Sequence, residues 1–187
     1  MTDTGWLTDE QQQAWRAYRR MVLLVDAQIA RELTRDSGLS MPDYQVLSAL
    51  SEDAEHQQRL SELAVNMQWS ASRLSHHVSR MEQRGLVHRA GCDSDARGAF
   101  VLLTGPGLDA IKAAAPDHVE SVRRHLINLL TPEQITALAE IGQTVIAPFG
   151  ERCPGPIGRP ADGQPGRPAQ PGQSAKRSPD SRSYAST

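Results

Sequence analysis

The chain reads as a mainly α-helical protein with one small β-hairpin set between its helices, and three observations predict that class. No proline or glycine interrupts the chain between Gly5 and Gly38, and Trp15, Tyr18, Met21, Val22, Val25, Ile29 and Leu33 recur there at spacings of three and four. From Ser70 to Gln83, 100° per residue places Leu74, Val78 and Met81 within a narrow arc and Ser72, His76, Ser79 and Gln83 opposite them. Beyond Gly85, Leu86-Val87-His88-Arg89 and Ala99-Phe100-Val101-Leu102-Leu103 are strand-like runs flanking a tip, Gly91 to Gly98, that is rich in turn formers.

Each element has its own local signal. Thr8-Asp9-Glu10-Gln11 has capping-box spacing and starts one long amphipathic helix over 8–37. Pro42 opens a second helix carrying Tyr44, Val46, Leu47 and Leu50. Arg59-Leu60 is a short link or β-bridge into a helix from Ser61 to about Gln68, with Ser61 as its cap. A tight turn at Gln68-Trp69 leads to the next cap, Ser70, so that 61–85 is a helix-turn-helix, closed by Gly85 in a left-handed conformation. Thr104 begins another long helix, bent at Pro116, and Thr131-Pro132-Glu133-Gln134 starts the last one. In that last helix Ile135, Leu138, Ala139, Ile141, Val145 and Ile146 are more apolar positions than a lone surface helix needs. Long apolar helices at both ends point to intertwining across a two-fold axis; the alternative is a monomer in which the two regions pack on each other.

A helix-turn-helix followed by a hairpin is a winged helix. Asp95 and Arg97 form an Asp-any-Arg pattern, followed after five residues by Leu103-Thr104 and then by Gly107, while Glu82-Gln83-Arg84-Gly85-Leu86-Val87 stands at the helix-to-hairpin junction. Together they resemble the MarR family of bacterial transcription regulators over 6–149. The expected fold is therefore mainly α: a winged helix-turn-helix domain, 42–104, with long N- and C-terminal dimerisation helices, 8–37 and 105–147, and a small β-hairpin wing, all within 1–149. The resemblance implies a homodimer on a pseudo-palindromic double-stranded DNA site, repression by promoter occlusion, and a small-molecule effector held between the dimerisation helices and the winged domain. It also implies that Arg97 of the wing enters the minor groove.

Particular residues carry the expected chemistry. Ser70, Ser72, Arg73, Ser75, His76 and Arg80 form a short, polar helix face without acids that can approach phosphates and base edges closely. Arg89 extends that basic set, and Asp95 is expected to hold Arg97 or the hairpin backbone, since a carboxylate facing phosphate is repelled. His77 falls toward the apolar side and reads as packed; Arg84 and Glu82 read as local pairs or links to a neighbouring element. Trp15, Tyr18, Met21 and Tyr44 are the candidate effector pocket, against the plainer reading of the same residues as core. Cys92 lies in the wing, but no resolving partner accompanies it, so a redox role is not the favoured reading.

Composition bounds the rest. The formal charge of −2 conceals an asymmetry: 1–58 carry −5, 59–104 carry +2, 105–149 carry −2 and 150–187 carry +3, and all six cations between 59 and 104 are arginines. Guanidinium suits bidentate contact with phosphate or guanine. The last stretch has 7 Pro and 6 Gly but no Leu or Val, a composition expected to stay a disordered basic tail. No membrane span and no secretory leader are recognisable, and a cytoplasmic protein is expected. The six histidines and two cysteines lack metal-ligand spacing, so no cofactor, metal or enzymatic activity is expected. The remaining alternative is a winged-helix protein-interaction module without sequence-specific DNA binding.

Overall fold

The computed structural model of the chain describes residues 5–92 and 95–149, the side chains of 92 and 95–98 excepted. The expected tail at 150–187 with Cys153, the Cys92 thiol, and the Asp95 and Arg97 side chains lie outside the described residues.

Among the described residues six α-helices and three strands follow one another as α1 (Asp9–Ser37), α2 (Met41–Glu52), β1 (Gln57–Arg59), α3 (Leu60–Asn66), α4 (Ala71–Gln83), β2 (Val87–Cys92), β3 (Asp95–Leu103), α5 (Gly105–His125) and α6 (Pro132–Ile146). Five of these helices start at a hydroxyl side chain. Thr8, Ser40, Ser70, Thr104 and Thr131 each accept a hydrogen bond from the backbone N–H three residues on, satisfying a donor the helix itself leaves orphaned. The exception corrects an expectation. Ser61 is not a cap: α3 starts at Leu60, is preceded by Arg59, and has no side-chain cap. The reason is β1, which draws Gln57–Arg59 into the sheet, so the helix begins where the strand ends. Its partners are Leu102 to Phe100 of β3, which makes the hairpin part of a three-stranded antiparallel sheet of order β1-β3-β2. A polar Gln-Gln-Arg triplet carries no strand pattern of its own.

Both turns of the helix-turn-helix region close alike. At the end of α3, Gln68 adopts φ 54°, the Gln68 N–H donates to the Val65 carbonyl at 3.0 Å and the Trp69 N–H to Ala64 at 2.9 Å. At the end of α4, Gly85 adopts φ 74°, donates to Glu82 at 2.9 Å, and the Leu86 N–H reaches Met81 at 3.0 Å. Glycine takes this conformation freely. Gln68 does so at a cost of about 1 kcal/mol, offset by the two carbonyls it helps to satisfy.

The core is built by α2, α3, α4 and the sheet: Tyr44, Leu47, Leu50, Leu63, Leu74, Val78, Met81, Val87 and Val101 are fully buried, and Leu33 of α1 with Ile111 and Ala114 of α5 close over them. α5 continues as one helix through Pro116 and packs on both α1 and α2. The two ends of the chain behave differently. Of α1 only Ile29, Glu32 and Leu33 are buried, while Trp15, Tyr18, Leu23 and Leu24 stay at least half exposed. The plain-core reading of Trp15 and Tyr18 is therefore wrong within one copy of the chain. α6 buries nothing among the described residues, and Ile141 and Val145 are about 60% exposed. No described helix is long and apolar enough to cross a membrane.

The start of α5 is stitched to the end of α4. Thr104 donates its hydroxyl to the Gly85 and Leu86 carbonyls at 2.6 and 2.9 Å while accepting from the Gly107 N–H. A Cβ at Gly107 would fall on the Leu86 carbonyl oxygen, which is backbone and cannot swing aside. Gly107→Ala is expected to cost about 2 kcal/mol or more in denaturant unfolding. Gly142, with open space around its Cβ position, should gain roughly 0.5–1 kcal/mol as Gly142→Ala. Equal stability of the two variants would show that the α4–α5 junction is not close-packed.

Candidate nucleic-acid interface

α4 presents an outward face on which Ser70, Ser72, Arg73, His76, Arg80 and Gln83 are exposed. The one acid of the helix, Glu82, is turned to β2, where it accepts from the Arg89 N–H at 2.8 Å and lies 3.2 Å from His88 Nδ1. With no acid in its first turn and Ser70 at its cap, the helix shows a surface of hydroxyls, imidazole and guanidinium. Such a surface offers donors and positive charge to an anionic strand.

The structure places the predicted site residues unevenly. Ser70, Ser72, Arg73, His76 and Arg80 share the outward face. Ser75 and Arg89 meet each other instead: Arg89 Nη2 donates to Ser75 Oγ at 2.8 Å and Nη1 to Ser79 Oγ at 3.2 Å. Arg89 is half-buried and clips the hairpin onto the helix; Ser79, expected to face outward, is half-buried beneath it. Arg80 Nη2 lies 3.3 Å from His77 Nδ1. Arg73 stacks over the Trp69 ring at 3.9 Å, and Trp69 meets His77 edge to face at 5.5 Å.

Behind the face, α4 is anchored by a residue that the sequence reading passed over. Asp43 is almost wholly buried, accepts from Arg84 Nη1 at 2.7 Å and from the Ser40 N–H at 2.9 Å, and lies 3.1 Å from His77 Nε2. The imidazole is close enough for an ion pair but off the line of a hydrogen bond. Arg84 also reaches the Gly38 carbonyl at 3.3 Å. Burial alone would raise the pKa of Asp43, but the Arg84 and Ser40 hydrogen bonds outweigh it and hold it below the ordinary carboxylate value. Burial pushes His77 the other way, below its usual value, and the Asp43 charge only partly offsets that. The expectations that His77 is packed and that Arg84 links to a neighbouring element both hold.

A second region lies between α1, α2 and α5. A groove of about 850 Å³ is lined by Trp15, Tyr18, Val22 and Leu23 of α1, Met41 and Tyr44 of α2, and His118 of α5. Trp15, Tyr18 and Tyr44 of the candidate pocket are there. Met21 is not, because 100° per residue carries it past the edge of the face that Trp15 and Tyr18 share. Beyond the groove, Glu32 holds α1 to α5. It accepts from Ser121 Oγ at 2.6 Å and Gln28 Nε2 at 2.9 Å and pairs with His125 Nε2 at 2.8 Å. The Ser121 hydrogen bond first, then those of His125 and Gln28, lower its pKa from 4.5 to about 2. Both missed acids left a trace in the sequence: Asp43 stands three residues after Ser40, the spacing of a capping box, and Glu32 falls on the apolar arc, in angle between Met21 and Val25. Among the described residues no group of three His, Cys, Asp or Glu could hold a metal ion.

A basic, acid-free helix face beside a three-stranded hairpin sheet, carried between long helices, defines a winged helix-turn-helix transcriptional regulator. The MarR family profile matches residues 37–98. The transcriptional regulator HosA of Escherichia coli is 31% identical over 120 residues, 64% of this chain and 86% of that protein. Two structures from Streptomyces coelicolor align closely. AbsC, a MarR family transcriptional regulator, is 43% identical over 79% of this chain and 97% of that one with a TM-score of 0.71. Sco3205, a MarR family transcriptional regulator solved in complex with DNA, is 38% identical over 80% and 94% with a TM-score of 0.75. The chain belongs to the MarR family of transcriptional regulators.

The Glu32 contact carries a pH dependence whose sign follows from its lowered pKa. A carboxylate that titrates near 2 when folded and near 4.5 when unfolded stabilises the folded protein fully above about pH 4.5 and loses that contribution as pH falls toward 2. Thermal melts should show the wild type losing stability steeply below about pH 5, and Glu32→Gln melting lower at neutral pH with a flatter acid limb. Parallel acid limbs for the two proteins would remove Glu32 as the source.

Proposed function

We propose that the protein is a homodimeric, sequence-specific DNA-binding regulator that represses by occupying a pseudo-palindromic operator and is released by a small-molecule effector. The observation that carries the DNA-reading part is the outward face of α4, six exposed residues able to donate to phosphate or base edges with the only acid of the helix turned away. Membership of a family that includes a regulator solved with DNA supports it. In this reading Ser70, Ser72, Arg73, His76 and Arg80 enter the major groove, Arg89 braces the hairpin against Ser75, and Arg97, held by Asp95, serves the flanking minor groove.

The dimer is supported by the apolar surface that one copy leaves uncovered on α1 and α6, including Trp15, Leu23, Ile141 and Val145. Residues 8–37 and 105–147 would then be the dimerisation helices and 42–104 the DNA-reading domain. A two-fold axis places the two α4 helices about one helical turn apart along the duplex, which only a near-palindrome matches on both sides. The effector reading is supported by the groove between α1, α2 and α5, because a ligand that prefers one spacing of the two reading heads shifts the population toward or away from DNA.

Selection from random duplexes should enrich a near-palindrome with half-site centres about one turn apart, with affinity falling as salt rises. Enrichment of no sequence would overturn the reading. On the selected duplex, Arg97→Ala is expected to lose about 1–3 kcal/mol of binding per subunit while changing stability by roughly half a kcal/mol at most. Equal affinity in titrations, or a large fall in melting temperature, would contradict the hairpin assignment. Ile141→Arg should convert a species of twice 20.5 kDa into a monomer in sedimentation, with the winged domain still folded. A wild type that sediments as a monomer would sink the dimer.

A further inference from the structure

Trp69 stands immediately before the cap of α4, with Arg73 four residues on and His77 four beyond that, so one side of the first two turns carries all three. The indole is half-buried, rooted against the core cluster, and its backbone N–H is fixed to the Ala64 carbonyl at 2.9 Å. The exposed Arg73 guanidinium lies 3.9 Å from the ring centroid, closer than the other two cation–ring pairs among the described residues, 5.0 Å for Arg59 on Phe100 and 5.6 Å for Arg19 on Trp15. On its other flank the ring meets His77, which is held beside the buried Asp43. Among the described residues no carboxylate pairs with Arg73, and the first turn of α4 contains no acid. A flexible cation at the positive end of a helix dipole would ordinarily swing away into solvent. Here it is kept against the helix.

We propose that Trp69 is a positioning residue for DNA binding. Its indole face holds the Arg73 guanidinium flat beside the N-terminus of α4, with its N–H groups free at the edge to meet a backbone phosphate. This rests on the reading of α4 as the DNA-contacting helix and deepens it. An aromatic face satisfies the cation by its quadrupole without consuming a hydrogen-bond donor, so the planar fork stays available for bidentate contact while its conformational freedom is already spent. A carboxylate partner would hold the guanidinium equally well but would repel the phosphate.

The test is a titration of the selected duplex with wild type, Trp69→Phe, Trp69→Leu, Arg73→Ala and the Trp69→Leu/Arg73→Ala double variant at several salt concentrations. Arg73→Ala is expected to weaken binding about tenfold and to lower the slope of log affinity against log salt by about 2 per dimer, one phosphate contact per subunit. Trp69→Leu should weaken binding several-fold in the wild-type background and less than twofold in the Arg73→Ala background, and its effect should shrink as salt rises. Trp69→Phe, which keeps a ring face, should bind close to wild type. A Trp69 that merely packs α4 against the core would cost the same in both backgrounds and at every salt concentration, and that result overturns the proposal. Wild type and Arg73→Ala binding alike would overturn it too while leaving the DNA reading standing. A wild type that binds no duplex would bring down both.

Discussion

Asp43 is the point on which the geometry of the reading head depends. A carboxylate buried to this degree is tolerable only if its lone pairs are filled and its charge is met, and here the α1–α2 corner, α4 and the residue that follows it supply those groups together. Arg84 brings its charge from just past the end of α4, His77 brings its imidazole from the middle, and the Ser40 N–H closes the remaining side. A rotation of α4 about its own axis would break Arg84 and His77 away from Asp43 at once and leave a buried charge uncompensated. The polar face of α4 therefore points where it does because the opposite side is locked electrostatically as well as by Leu74, Val78 and Met81.

The same helix is held from its other flank by Arg89, whose guanidinium spans Ser75 and Ser79. Every strand, turn and cap around α4 narrows its freedom, whereas α6 and the first half of α1 are left with apolar surface facing water. That contrast divides the molecule into a closely packed head and arms whose apolar faces stay exposed. Glu32, by tying the buried end of α1 to Ser121 and His125 of α5, joins the two parts.

The acids of the molecule show how burial changes the meaning of a charge. Asp43 and Glu32 are both buried, both are engaged by several donors, and both have lowered pKa values, so each acts as a structural anion at neutral pH. Glu82 has a third position, facing the hairpin rather than the open side of α4. The acid-free character of the outward face thus comes from where Glu82 is turned, as well as from composition.

Within about four residues, sequence and structure agree closely. The hydroxyl caps, the helix periods and Gly85 all act over one turn, and each is a contest between a chain segment and water that the segment alone decides. On that basis the helices, the hairpin and the polar face of α4 were legible, down to His77 as a packed residue. Tertiary structure decided what lies further apart. Arg84 meets Asp43 across 41 positions, Glu32 meets Ser121 across 89, and Gln57–Arg59 becomes a strand only because β3 offers an unpaired edge. The same distance explains Ser61, displaced as a cap because the remote β3 pairs with Gln57–Arg59 just ahead of it, and Trp15, whose helical period was plain but whose burial no period can tell. Local pattern fixes which face of an element is apolar; only the arrangement of the elements determines whether anything covers it, because burial and ion pairing are properties of what a residue meets in space.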